Sequence, residues 1–180
     1  MKKLQAYSIP RVKGLGLYHH IKWVNRAVST NSYRFIINHV LVEGSRIIGA
    51  DGRRLHYYEN DYLKDDIEDG IYRVVKTPKE ILLIAAPDAG TFPDYRKAFP
   101  DGHAEEVSLQ CIIGKTPQDK AANIIYQMGQ QAQGFLFLPY VIDACSDGEH
   151  MINVECRGKL SPVIFKTEDR LALIMPLRTD

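Results

Sequence analysis

"SRIIGADGRRLHYYEN", residues 45–60, decides the fold. β-branched and aromatic residues stand on both sides of Asp51-Gly52, a pair that favours a tight turn, so the stretch reads as strand, turn, strand. Upstream, "YRFIINHVLVEG" (33–44) has the same composition and ends in a turn signal, which predicts a third strand. Before it, Leu17, Ile21, Val24 and Val28 recur at helical spacing and predict a helix over 15–29, with Lys22 and Arg26 on its other side. With a strand opening at residue 6, the order over 6–60 is βαβββ.

Further along, "DYLKDDIEDG" (61–70) reads as an acidic connector. Two strand-like runs within 71–88 flank Thr77-Pro78-Lys79-Glu80 and suit a hairpin. Residues 105–114 read as a strand. Thr116 can cap a helix over 117–131, with Pro117 in its first turn and Asp119 near its positive end. "GFLFL" (134–138) predicts a strand, Pro139 opens a short helix over 139–147, and three strands follow within 149–178. Residues 134–178 thus repeat the order of 6–60 without sharing its sequence. An α+β fold follows, with antiparallel sheets backed by helices on one face. The aromatic stretch "GTFPDYRKAFP" (90–100) lies between the halves, and three rings are unusual in a solvated linker.

The chain has 180 residues with 23 Lys and Arg against 22 Asp and Glu, so any nucleic-acid binding must come from a local patch. No apolar run approaches the ~20 residues of a membrane span. The N-terminal residues lack the apolar stretch of a secretory signal. Cys111, Cys145 and Cys156 form no CxxC pair and read as buried thiols of a cytoplasmic protein. The six histidines show no HExxH or HxxxH spacing, and neither GxxxxGK[ST] nor GxGxxG is present, so no metal and no cofactor are expected. Asp51, Asp94 and Glu43 are the acids a metal-dependent DNA-processing enzyme would use, but they lack paired spacing, and Asp51 reads as a turn residue. The residues point to a binding protein and not to an enzyme.

Three fragments, in order, resemble one family. "IIGADGRRL" (47–55), "GTFPDYRKAFP" (90–100) and "LALIMPLR" (171–178) are similar to a strand-ending turn, an inter-domain linker and a C-terminal tail of the bacterial sliding clamp, the beta subunit of DNA polymerase III. The resemblance implies DNA-clamp-like βαβββ units. It implies a clamp-like domain over 1–90 matching the first half of the family's middle domain. A linker over 91–100 follows, then a domain over 101–180 matching the last half of its C-terminal domain.

What the family does is then an expectation for this chain. Linker and tail line a groove for short partner peptides, and the matching positions are Ile37, Ala50, Gly52, Arg53, Arg54, Leu55, Pro93, Lys97, Ala98, Leu173, Ile174, Met175, Pro176, Leu177 and Arg178. Such a groove suits an extended peptide with leucine or phenylalanine anchors and some acidic character. Lys22 and Arg26 are the expected contacts to double-stranded DNA, without sequence preference. The implied function is a replication processivity factor that binds a polymerase or other clamp-binding proteins and encircles DNA as a homo-oligomer. A non-ring module that binds or regulates replication or repair proteins is the alternative. The chain is about half the family's length, so a two-chain ring of the usual size is not expected; more copies close a ring, or none forms.

Overall fold

The computed structural model describes residues 5–12, 16–30, 35–61, 63–101, 105–107, 116–130, 135–146 and 153–177. They fall into two compact units, Met1–Pro93 and Asp94–Asp180.

The first unit contains β1 (Ala6–Pro10), α1 (Leu17–Val24), β2 (Val40–Glu43), β3 (Arg46–Ala50), β4 (Arg54–Glu59), α2 (Leu63–Asp66), β5 (Gly70–Lys76) and β6 (Glu80–Ala85). Its six strands lie in the order β1-β6-β5-β2-β3-β4, each paired antiparallel with its neighbour. The hairpin read from residues 45–60 is β3–β4, with Ile48 opposite Tyr57 and Ala50 opposite Leu55. Gly52 at its tip has φ +89°, a left-handed value that glycine adopts without strain. Residues 71–85 form the β5–β6 hairpin around Thr77.

Two expectations are corrected here. The segment 33–44 is not one strand: Phe35–Asn38 forms a 3-10 turn, and β2 begins at Val40. The Ser29 N–H donates to the Ile37 carbonyl at 3.0 Å, which holds this backbone out of the sheet despite its β-branched composition. The helix read over 15–29 ends at Val24, where Arg26 and Ala27 bond back three residues and tighten the last turn. The acidic connector also holds a helical turn, α2, whose Leu63 is buried, as is Ile67 just beyond it.

α1 packs on β1, β3, β4 and β6. Its Ile21, Trp23 and Val24 are buried, against a sheet face that includes Ile9, Val42, Ile47, Tyr72, Ile81 and Leu83. Burying each such side chain contributes roughly 1.5–3 kcal/mol. Polar rings complete the contact. Trp23 stacks on His56 at 4.3 Å between centroids, and His20 stacks on Tyr58 at 3.9 Å. His56 Nδ1 donates to the Trp23 carbonyl at 3.1 Å.

The second unit contains β7 (Glu105–Val107), α3 (Pro117–Gln130), α4 (Leu138–Ala144), β8 (Asn153–Cys156), β9 (Val163–Lys166) and β10 (Arg170–Ile174). The strand order is β10-β9-β8-β7, antiparallel throughout. Thr116 caps α3: its hydroxyl accepts from the Asp119 N–H at 3.2 Å, and Asp119 Oδ2 accepts from the Thr116 N–H at 3.1 Å. α3 packs on α4, and α4 packs on β10, which is buried along its length. Cys145 and Cys156 are buried and in no disulfide, and burial pushes the Cys156 thiol pKa up, which keeps it protonated. Cys111, and the expected strand beyond residue 107, lie outside the described residues. The strand expected at 134–138 is a single bridge, Phe135 to Leu177, because Pro139 fits the first turn of α4 and draws Leu138 into the helix.

Gly49 on β3 sets how closely α1 approaches. A Cβ there would stand 2.7 Å from the Val24 carbonyl oxygen and 2.9 Å from Val28 Cγ2. Gly49→Ala is therefore expected to destabilise the protein by about 1–3 kcal/mol in urea unfolding, through overpacking against backbone. An unchanged midpoint would show that α1 can shift without loss.

Candidate functional site

The residues expected to line a groove fall on both units, and each set is described on its own unit. In the first unit, the β3–β4 turn is built by Asp51. Its Oδ1 accepts from the Arg53 N–H at 2.9 Å and the Arg54 N–H at 3.1 Å, and its Oδ2 accepts from Arg54 Nε at 3.0 Å. These bonds hold the turn, as an Asx turn does. Arg54 also donates from Nη2 to the Arg26 carbonyl at 2.5 Å, tying the hairpin to the end of α1.

The two adjacent arginines therefore differ. Arg54 has little exposed side chain and is a structural tie, whereas Arg53 and Gly52 are exposed at the tip. Ala50 is half-buried beside them, while Leu55 and Ile37 are buried; Ile37 sits on the 3-10 turn and not on a strand. Pro93 is exposed. Lys22 and Arg26 are half-buried and already interact with neighbouring groups.

The aromatic stretch divides at the unit boundary. Phe92 is buried in the first unit and Tyr95 in the second, so two of the three rings are packing residues. Asp94 caps the short 3-10 turn Tyr95–Ala98 by accepting from the Arg96 N–H at 3.3 Å, and it lies 3.8 Å from the Lys97 ammonium. Arg96 lies over the Tyr95 ring at 4.7 Å. Lys97 is exposed and Ala98 half-buried. Asp94 is thus engaged like Asp51. Among the described residues, no three His, Cys, Asp or Glu side chains gather where they could hold a metal ion.

In the second unit the tail separates into core and surface. Leu173 and Ile174 are buried, Pro176 is half-buried, and Met175 and Leu177 are about two-fifths exposed (41% and 43%). Arg178 lies outside the described residues. The Leu177 N–H donates to the Phe135 carbonyl at 2.7 Å, so the tail pairs antiparallel with the segment before α4.

Directly opposed residues in such a pair share a face, and side chains two apart in extended chain share it too. Phe135 and Leu177 therefore stand side by side, and Phe137 and Met175 continue the same face. All four are exposed while Leu136 between them is buried. Tyr140 lies edge-on to Phe137 at 4.9 Å. The sequence reading missed Phe135 and Phe137, which it placed in a strand. The alternation of large apolar residues about Leu136 was a signal that one of the two faces had to be exposed.

No protein-family model matches the sequence, and no curated protein matches it. Solved structures do. The chain is similar to the Pseudomonas aeruginosa DNA polymerase sliding clamp, with 14% identity over 97% of this chain and 66% of that one, and a TM-score of 0.64. The Caulobacter crescentus beta sliding clamp gives 16% identity, 99% and 68% coverage and a TM-score of 0.67. The Helicobacter pylori beta clamp, bound to a DNA ligase peptide, gives 13%, 99% and 67%, and 0.61.

This is the sliding-clamp fold. The chain spans about two thirds of the length of the clamps it matches, more than the half expected from the sequence. No helix among the described residues is long and apolar enough to cross a membrane.

The contrast between the arginines has a direct consequence. Arg54→Ala removes an ion pair and a bond to the end of α1, and is expected to cost about 1.5–3 kcal/mol in urea unfolding. Arg53→Ala is expected to stay within about 0.5 kcal/mol of the parent. Equal effects would contradict the structural role given to Arg54.

Proposed function

We propose that this protein is a sliding-clamp-like processivity factor that docks short segments of replication proteins and has no catalytic site. The observation that carries the reading is the exposed apolar face of Phe135, Phe137, Met175 and Leu177, placed beside the buried strand β10 of a sliding-clamp fold. A surface that keeps four large apolar side chains in water marks a binding site. The methionine adapts to varied partners, and the aromatic rings supply rigid contact area. That a clamp of this fold is bound to a DNA ligase peptide supports a peptide as the occupant.

In this reading Leu173 and Ile174 hold the tail in place from beneath. Ala50, Gly52, Arg53, Arg54, Leu55, Ile37, Pro93, Lys97, Ala98, Pro176 and Arg178 remain the groove positions carried over from the clamp family. Residues 1–90 and 101–180 stand for parts of the family's middle and C-terminal domains, with 91–100 between them. The protein acts as a homo-oligomer around DNA, in the cytoplasm, tethering a polymerase or another partner by its peptide.

A second reading drops the ring and keeps the peptide site, giving a free-standing module that captures clamp-binding proteins. The half-buried, already engaged state of Lys22 and Arg26 favours it, since DNA-facing cations are ordinarily free to reach phosphates.

The peptide site is tested by fluorescence anisotropy with a short labelled peptide carrying leucine and phenylalanine anchors and one acidic residue. The parent protein is expected to bind it. Met175→Glu and Leu177→Glu are each expected to weaken binding at least about tenfold, or about 1.4 kcal/mol, with the circular dichroism spectrum unchanged. Undiminished binding by both variants would remove this surface from the function.

A further inference from the structure

The first unit carries a basic corner that the peptide reading does not use. Just past β1, the Arg11 N–H donates to the Lys79 carbonyl at 2.8 Å, so Arg11 lies opposite Lys79 in continuation of the β1–β6 ladder. Lys79 is fixed on the β5–β6 turn. There the Thr77 hydroxyl oxygen accepts from the Lys79 N–H at 3.3 Å and the Glu80 N–H at 3.0 Å, and Thr77 N donates to the Glu80 carbonyl at 2.9 Å. Lys76 closes β5 opposite Ile81. Tyr18, in the first turn of α1, donates to the Thr77 carbonyl at 3.2 Å, and the Arg11 guanidinium lies 6.0 Å from its ring centre. Backbone pairing thus brings three exposed cations to one corner, Arg11 from beyond β1 and the two lysines from the β5–β6 hairpin.

Their surroundings offer little to neutralise them. None of the three forms an ion pair with another described residue. The neighbouring acid, Glu80, keeps its charge but turns its carboxylate to the Ser8 hydroxyl and pairs with none of the three, and the first turn of α1 has no acid. Like charges directly opposite one another in a sheet are destabilising, so an arrangement of this kind calls for an anion from outside.

The chemistry of the corner selects among polyanions. Val12 is the exposed large apolar side chain on these segments. A protein interface would need an apolar or aromatic centre. A lipid surface would need a larger apolar anchor than one valine, or a denser basic cluster. Point charges on a rigid turn suit evenly spaced phosphates.

We propose that Arg11, Lys76 and Lys79 form a contact surface for the phosphodiester backbone of duplex nucleic acid, apart from Lys22 and Arg26. The proposal rests on the DNA half of the processivity reading and is independent of its peptide half.

The test is anisotropy of the full chain with a labelled duplex of arbitrary sequence, titrated between about 50 and 200 mM salt. The variants are Arg11→Ala/Lys76→Ala/Lys79→Ala and, as a charge-matched control, Lys64→Ala/Lys159→Ala/Lys166→Ala. The parent and the control are expected to bind with the same log–log salt slope. The corner variant is expected to flatten that slope by about 2.7, at 0.9 per phosphate contact, and to weaken binding at low salt at least about tenfold. Arg11→Lys/Lys76→Arg/Lys79→Arg is expected to restore the parent slope. A corner variant that still binds the labelled peptide while losing DNA supports the assignment and leaves the peptide site standing. Three results would overturn it: a parent that binds no DNA, a corner variant with the parent's slope, or a parent that binds phosphatidylserine vesicles but not duplex.

Discussion

The close approach of α1 to the sheet at Gly49 is the constraint on which the first unit depends. With no side chain there, the helix backbone comes close enough for Trp23 to stack on His56 and for His20 to stack on Tyr58. Those stacks let polar rings fill a largely apolar core, with the His56 ring bonded to the Trp23 carbonyl. Arg54 then ties the β3–β4 turn to the last turn of the same helix. The hairpin tip that presents Arg53 is therefore held through the helix, and the sequence of causes runs from one glycine to one surface residue.

In the second unit the decisive feature is how one short tail serves two purposes. β10 is buried along its length, so Leu173 and Ile174 belong to the core. Three residues further on, at Leu177, the chain is pinned to Phe135 by a backbone bond, and the side chains of Met175, Pro176 and Leu177 alternate between exposed and half-buried. In the proposed function, a binding face assembled on such a paired backbone is positioned before a partner arrives, which reduces the ordering cost of association. The acids that could have suggested chemistry, Asp51 and Asp94, each build a turn by accepting backbone N–H groups. That use of carboxylates fits a protein that works by presenting surfaces.

Much of this was legible in the residues. Asp51-Gly52 between β-branched runs announced the β3–β4 hairpin, and Thr77 through Glu80 announced β5–β6. Thr116 with Asp119 announced the start of α3. The stripe of Ile21 and Val24 marked the buried side of α1, and the turn, linker and tail fragments marked the sliding-clamp fold. What escaped was set by tertiary contact. Ile37 lies in a strand-forming sequence, yet a bond from Ser29 bends it into a 3-10 turn. Phe135 and Phe137 read as part of a strand; the structure has a single bridge to Leu177 there, with both rings exposed. Arg53 and Arg54 are indistinguishable by type, and the positions of the Asp51 carboxylate and the Arg26 carbonyl separate a tie from an exposed cation. The corner joins Arg11 to Lys76 and Lys79 on a hairpin far along the chain, so no local pattern could reveal it.

The central claim is that this sliding-clamp fold works as a tether on DNA. Its most direct test is molar mass by light scattering on a sizing column, with and without circular duplex DNA. A tether of this kind is expected to be an oligomer that stays with circular DNA at a salt concentration where electrostatic contacts are weak and is released once the DNA is linearised. A monomer or dimer whose retention is the same on circular and linear DNA would contradict it.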